Sequence, residues 1–412
     1  MKPTGPLPPE FAAQTGALTI AGHPVDHWIE RAGGTPLFVY DPAIAADRIA
    51  RFRRAMPAAV DLHFAIKANP FAPLLAAVAP LVDGLDVASA GELRMALPHK
   101  PAAAISFAGP GKRDGELAAA VEAGATINLE SEGEAARALA QGERLGVRPR
   151  LAVRVNPDLE LRGSGMRMGG RPSPFGVDAA RAAALVRRVI DGGADWRGFH
   201  IFAGSQSLDT AALIETQKAT LALAARLAEE ACAVPPVVNL GGGFGVPYFA
   251  GDTAVDLDRI GTALGEELDR RPPVLRDSGF AIELGRWLVA ECGVYLTRVV
   301  DRKESWGETF LITDGGLHHQ LAASGNFGTV VRRNYPVAVA GRMGAAVVET
   351  VSVVGCLCTP LDRLADRVAL PRAEAGDVIA VFLAGAYGLT ASPTAFLGHP
   401  QPAEILAGPS PA

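Results

Sequence analysis

The run Asp61-Leu62-His63-Phe64-Ala65-Ile66-Lys67-Ala68-Asn69-Pro70 decides how the rest of the chain is read. Its apolar residues predict a strand over 61–66, broken by Asn69-Pro70. The strand ends on a lysine. Such a lysine either snorkels to solvent or is desolvated, and desolvation favours the neutral amine that attacks carbonyls or forms a Schiff base. The neighbouring segments decide between the two.

Working outward, further strands are predicted near 84–88, 104–107, 126–129, 150–156, 197–203, 236–240 and 279–283. Helical periodicity fills most gaps, over 74–81, 91–97, 114–123, 132–145, 178–190, 210–230 and 256–270. Ser89 with Glu92 and Ser131 with Glu134 have capping-box spacing. Eight strands interleaved with helices predict an α/β fold, a (β/α)8 TIM barrel over 38–289, with a doubly wound open sheet as the competitor. The residues of chemical interest stand at the carboxyl ends of these strands: Lys67, Asp86 with Ser89, Arg154 with Asn156, Gly204-Ser205-Gln206, Gly241-Gly242-Gly243, and Glu283 with Arg286. A barrel gathers them at one mouth, whereas an open sheet separates its first strand from its last.

Ahead of the barrel, 1–37 holds a strand-like piece at 17–20 and a helix at 27–32 stopped by Gly33-Gly34, and within 38–289 Asp41-Pro42 opens a helix running to 56. Beyond Arg286 short β-rich runs at 293–301, 309–313, 346–354 and 377–381 predict an all-β domain over 290–412, completed by residues 1–37. A chain of 412 residues fits such a two-domain plan. Hydrophobic content of 49% with 20% charge is that of a soluble globular protein, and a net charge of −5 gives no case for nucleic acid or an anionic membrane. No apolar run approaches 18 residues and no leader pattern opens the chain, so a cytoplasmic protein is expected. The cysteines Cys232, Cys292, Cys356 and Cys358 fit a reducing compartment. Cys356-Leu357-Cys358 lacks a second ligand pair, so no metal is assigned, and two cysteines on one strand face read as structural.

Leu240-Gly241-Gly242-Gly243-Phe244-Gly245 lets backbone approach a phosphate, although a glycine triplet is more often a tight turn. It lacks nucleotide-binding spacing. Glu283-Leu284-Gly285-Arg286 is either a local ion pair or a carboxylate for a ring nitrogen beside a guanidinium for an anion. Tyr387, between small residues, is a packed phenol or a phosphate ligand.

A strand-end lysine, a glycine loop, a Glu/Arg pair and a late tyrosine form a pyridoxal phosphate inventory. The sequence resembles the fold-type III pyridoxal-phosphate decarboxylases, the diaminopimelate, ornithine and arginine decarboxylase family with its alanine-racemase-like barrel, over nearly the whole chain. The resemblance rests on Phe64 to Asn69, Leu85 to Ser89, Arg154 to Pro157, Gly204 to Gln206, Gly241 to Phe244, Glu283 to Arg286, Cys358 to Asp362 and Gly385 to Gly388. It implies that Lys67 forms the internal aldimine and that Glu283 keeps the pyridine nitrogen protonated, supporting a quinonoid. Ser205, Gly242, Gly243, Gly285, Arg286 and Tyr387 would hold the cofactor, chiefly its phosphate, with Asp86 and Arg154 supporting lysine and ring. Cys358 would cross a homodimer interface to reprotonate Cα in a shared active site, beside Arg286, Thr359, Asp362 and Tyr387 as substrate-binding residues.

Departures from the family pattern bear on substrate. Phe202 replaces the histidine stacked on the ring, and His200 reads as a packed histidine. Thr359 stands where diaminopimelate and ornithine enzymes place the carboxylate that pairs the distal ammonium. The Arg-Pro-x-x-Tyr run of diaminopimelate enzymes is absent after Asp314-Gly315-Gly316, which continues Leu317-His318-His319-Gln320-Leu321. These features are similar to the branch holding glutamyl-carrier-protein and exosortase-associated decarboxylases. The expected activity is therefore α-decarboxylation of an amino acid or a carrier-tethered aminoacyl substrate. Diaminopimelate decarboxylase, a racemase and a non-catalytic pyridoxal phosphate protein are the alternatives. Arg162, Arg167 and Arg171, or Arg332-Arg333-Asn334-Tyr335, are candidates to meet a phosphopantetheine or an acidic carrier, against solvated loops as the plain reading.

Overall fold

A computed structural model of the chain describes residues 1–158, 166, 167, 170, 172–325 and 333–408. Eight parallel strands, β1 (Val60–Ala65), β2 (Gly84–Val87), β3 (Ile105–Phe107), β4 (Thr126–Leu129), β5 (Arg150–Asn156), β6 (Asp195–Ile201), β7 (Val237–Asn239) and β8 (Gly279–Leu284), pair in that order. β8 then pairs with β1, Ile282 opposite Leu62, and the barrel closes. Closure buries both faces of each strand, which is why β2 reads as the unbroken apolar run around Asp86 and why β5 is buried from Leu151 to Asn156.

Helices return each strand to the start of the next. Ser89 and Ser131 accept the N–H of Glu92 and Glu134 at 3.1 Å, capping Ala90–Ala96 and Glu132–Leu145. Those helices place polar groups beside strand ends: the Glu134 side chain turns back to the backbone N–H of Glu130, just past β4.

The described chain divides into two compact units, Ile49–Gly245 with Val255–Gly285, which holds the barrel, and Met1–Arg48 with Val246–Ala254 and Arg286–Ala412. The second unit reaches past 37 because Arg48 pairs with Glu291 at 3.0 Å and lies 3.8 Å over the Trp287 ring. It takes in Tyr248 through contacts with Arg286 and Tyr335. Leu37–Tyr40 pairs with the long strand Gly293–Ser305, which also pairs with Glu308–Thr313 and Val378–Val381. Strands Val337–Val339, Arg363–Leu370 and Ala403–Leu406 belong here and are not evident in the apolar pattern. Among the described residues no helix is long and apolar enough to cross a membrane.

Candidate active site

Lys67 lies on a short 3-10 turn, Ile66–Ala68, immediately beyond β1. It is exposed, on the turn just past the strand end. Its charge helps draw Glu283 towards the ionised form, whereas burial pushes the Glu92 carboxyl up despite the backbone N–H of Ala88 and the Lys67 charge.

Glu283, near the end of β8, is buried. Its Oε2 accepts His200 Nε2 at 2.7 Å and Asn239 Nδ2 at 3.3 Å. Burial alone would push this carboxyl up; His200 first, then Lys67 and Arg154, outweigh it and hold Glu283 well below the usual carboxylate range. His200 is therefore more than a packed histidine: it fixes one oxygen of Glu283. No sequence pattern joins residues 83 apart on β6 and β8.

Asp86 on β2 is buried, with Oδ1 3.4 Å from His63 Nδ1 on β1 and Oδ2 without a partner. Arg154 on β5 is buried and donates from Nη1 to Glu130 Oε1 at 2.8 Å. Glu130 also accepts the N–H groups of Gly109 and Gly176. Behind it Lys112 and Glu134 form a second buried ion pair at 2.6 Å. Sequence reading missed Glu130 and His63, each identified only by its partner.

The glycine run follows β7, with Gly241 and Gly243 in the left-handed region at φ 70° and 80°. A Cβ on Gly242 would stand 2.0 Å from the Glu283 carbonyl oxygen, so the strand packing itself requires glycine there. Phe202, after β6, is half-buried and stacks on His200 with centroids 6.5 Å apart. Ser205 pairs in register with Met166, and its Oγ is buried without a partner.

In the second unit Arg286 opens the helix Arg286–Val289, donates to the Tyr248 hydroxyl at 3.2 Å and lies 4.6 Å over the Tyr387 ring. Among the described residues, each of Glu283 and Arg286 has hydrogen-bond partners within its own unit. Gly285 packs close to Ala68 and Ala65 in the barrel unit. Cys356 and Cys358 lie in the turn after Glu349–Val354, one half-buried and one exposed, so they do not share a buried strand face. Asp362 is buried, and its oxygens accept the N–H groups of Leu317 and Leu357 at 2.7 and 2.9 Å. It clamps the turn rather than offering a free carboxylate to substrate. Arg162 and Arg171, the side chain of Arg167, and Arg332 lie outside the described residues. Arg333 stacks 3.9 Å over Phe249 beside Asp252, while Asn334 and Tyr335 are buried, so the described part, 333–335, is not a free basic loop.

The barrel's donor set fits pyridoxal phosphate. It offers an amine at the end of β1, an ionised carboxylate at the end of β8 and, after β6, a buried hydroxyl whose missing partner a phosphate oxygen would supply.

Residues 44–290 match the family described as pyridoxal-dependent decarboxylase, pyridoxal binding domain. The chain is 38% identical to the L-glutamyl-[BtrI acyl-carrier protein] decarboxylase of Niallia circulans, over 90% of this chain and 88% of that protein. It is 31% identical to the diaminopimelate decarboxylase of Archaeoglobus fulgidus, over 96% and 93%. The solved diaminopimelate decarboxylase of M. jannaschii in complex with L-lysine superposes with a TM-score of 0.86 at 25% identity, covering 95% of this chain and 91% of that one. Barrel, donor set and relatives agree, and the chain belongs to the fold-type III pyridoxal-phosphate-dependent decarboxylases, enzymes that act as carboxy-lyases.

Proposed function

We propose that this decarboxylase removes the α-carboxylate of an amino acid whose distal end carries no ammonium, and that a glutamyl group tethered to an acyl carrier protein suits it best. The observation that carries this reading is the turn Cys358 to Asp362. Thr359 is uncharged and its hydroxyl accepts the Leu361 N–H at 3.3 Å, while the nearby carboxylate, Asp362, is spent on backbone. A buried ammonium with no carboxylate partner would cost on the order of 3 kcal/mol. A glutamyl group tethered through its side-chain carboxyl keeps the α-carboxylate free and has no distal charge to pair. The carrier-protein relative supports the same choice.

Pyridoxal phosphate supplies the electron sink for the bond to CO2. Around it Lys67 supplies the amine that binds the cofactor's aldehyde, and Glu283, oriented by His200, holds a proton on the ring nitrogen. Phe202 offers an aromatic face to the ring. Asp86 and Arg154 position amine and ring. Ser205, Gly242, Gly243, Gly285, Arg286 and Tyr387 bind the phosphate end. Cys358, an exposed thiol, returns a proton to Cα, and its exposure suits a thiol offered to a second copy of the chain in a homodimer.

The test is CO2 release by the holoenzyme from free glutamate, diaminopimelate, ornithine and carrier-tethered glutamate. The tethered substrate should react at least tenfold faster than the others, and Cys358→Ala should keep the cofactor while losing most turnover. Equal or faster release from diaminopimelate would overturn the substrate assignment. Glu283→Gln should lower kcat by about 10²-fold, because a neutral amide cannot hold the ring proton. A kcat within threefold of wild type would remove Glu283 from that role.

A further inference from the structure

Three segments of the second unit meet at a group of side chains to which the proposed function gives no role. His318 lies in the turn after Glu308–Thr313, Cys356 in the turn after Glu349–Val354, and His399 ahead of Ala403–Leu406. One ligand atom from each lies within 4.8 Å of the other two. His318 is fully buried, yet among the described residues neither ring nitrogen has a hydrogen-bond partner. Its neighbour His319 is just as buried and fully satisfied, with Nδ1 3.1 Å from the Tyr295 hydroxyl and Nε2 3.2 Å from the Pro400 carbonyl oxygen. The contrast between adjacent histidines is informative. An unpaired buried imidazole costs about 1–3 kcal/mol, so an isolated His318 would be a standing defect unless something binds it.

The remaining contacts do not repair it. Cys356 Sγ lies 3.8 Å from His399 Nδ1 and 3.9 Å from Nε2, and 3.6 Å from the Asp314 carbonyl oxygen. One thiol proton cannot serve all three, and none of these contacts reaches His318.

We propose that His318, Cys356 and His399 form a binding site for a borderline transition metal of the Zn2+ class, with a fourth position left to water. Two imidazoles and one thiolate are the ligands this class prefers, and three protein ligands with an open position are a recurring zinc geometry. Zn–S of about 2.3 Å and Zn–N of about 2.0 Å in a tetrahedron place sulfur and nitrogen about 3.5 Å apart. The sulfur–nitrogen separations at His399 are within half an ångström of that. His318 brings two ring nitrogens without hydrogen-bond partners among the described residues, so either can serve as the ligand atom. Coordination at Cys356 forms an S–Zn bond and releases the thiol proton to solvent. The ion would tie three turns together, one of which carries Cys358.

Holoenzyme treated with a chelator, dialysed and exposed to Zn2+ should retain about one equivalent after gel filtration, with release of one proton per ion near neutral pH. Co2+ in its place should give visible ligand-field bands and a thiolate-to-cobalt band. Cys356→Ser and His399→Ala, both at half-buried positions, should reduce retention to below 0.2 equivalents. Cys232→Ser, which removes an exposed thiol elsewhere, should leave it at one. Retention below 0.2 equivalents in the wild type, or retention unchanged in both site variants, would overturn the assignment.

Discussion

Lys67→Ala is expected to lose the visible absorbance of the bound cofactor on dialysis and to lower turnover by 10³-fold or more, about 4 kcal/mol of transition-state stabilisation. The size of this effect follows from how few amines the chain has. Of its six lysines, Lys2 is paired with Asp366 and Lys218 with Glu267, and Lys303 lies on the long strand of the second unit. Lys100 donates to the Val82 carbonyl. Lys112, the buried one, is committed to Glu134 and to the carbonyls of Gly109 and Asn128. Lys67 alone stands just beyond the carboxyl end of a barrel strand, with Glu283 in electrostatic reach. No second lysine can take over, so borohydride treatment should fix the cofactor to wild type and leave the variant unlabelled. A labelled and active Lys67→Ala protein would show that the amine comes from elsewhere.

The barrel was legible because burial on both faces leaves apolar runs of strand length, and because capping residues such as Ser89 and Ser131 mark where helices start. The strand-end residues were legible for the same reason: once eight strands are in register, their carboxyl ends are known. What one element does to another was not legible. His200 and Glu283 stand on non-adjacent strands, and Glu130 collects Arg154, Gly109 and Gly176 from three segments, so neither pairing leaves a local pattern. Asp362 entered as a substrate ligand through the family resemblance alone, and its burial and its hold on the N–H groups of Leu317 and Leu357, a clamp on the turn, leave no local pattern in sequence. In the second unit the strand Arg363–Leu370 escaped notice because Arg363, Asp366 and Arg367 interrupt its apolar alternation. Arg367 sits at φ 46° where the pairing with Glu349–Val354 shifts register.

Glu130→Ala should destabilise the protein by about 3–5 kcal/mol, read as a lowered urea midpoint with an unchanged m value. The loss is large because the substitution strands more than one partner. Arg154 would be left as a buried guanidinium without its carboxylate, and the N–H groups of Gly109 and Gly176 would lose their acceptor. Glu130→Gln separates the two contributions, since the amide oxygen can still accept one backbone N–H but brings no charge to Arg154. It should recover part of the loss. The acid limb should change as well. Burial pushes the Glu130 carboxyl up, but Arg154, Lys112 and the backbone N–H groups outweigh it, and its folded value lies below that of the unfolded chain. The stability it contributes is therefore present in full above the ordinary carboxylate range and is lost as pH falls through the lowered folded value. Both variants should show a flatter fall in stability below about pH 4.5 than wild type, the ordinary glutamate value. A wild-type acid limb in Glu130→Gln would mean that Arg154 finds its counter-charge elsewhere, with Glu283, on which its charge already acts, as a candidate. Because Arg154 also helps hold Glu283 ionised, the same variants should weaken cofactor retention before they unfold the barrel.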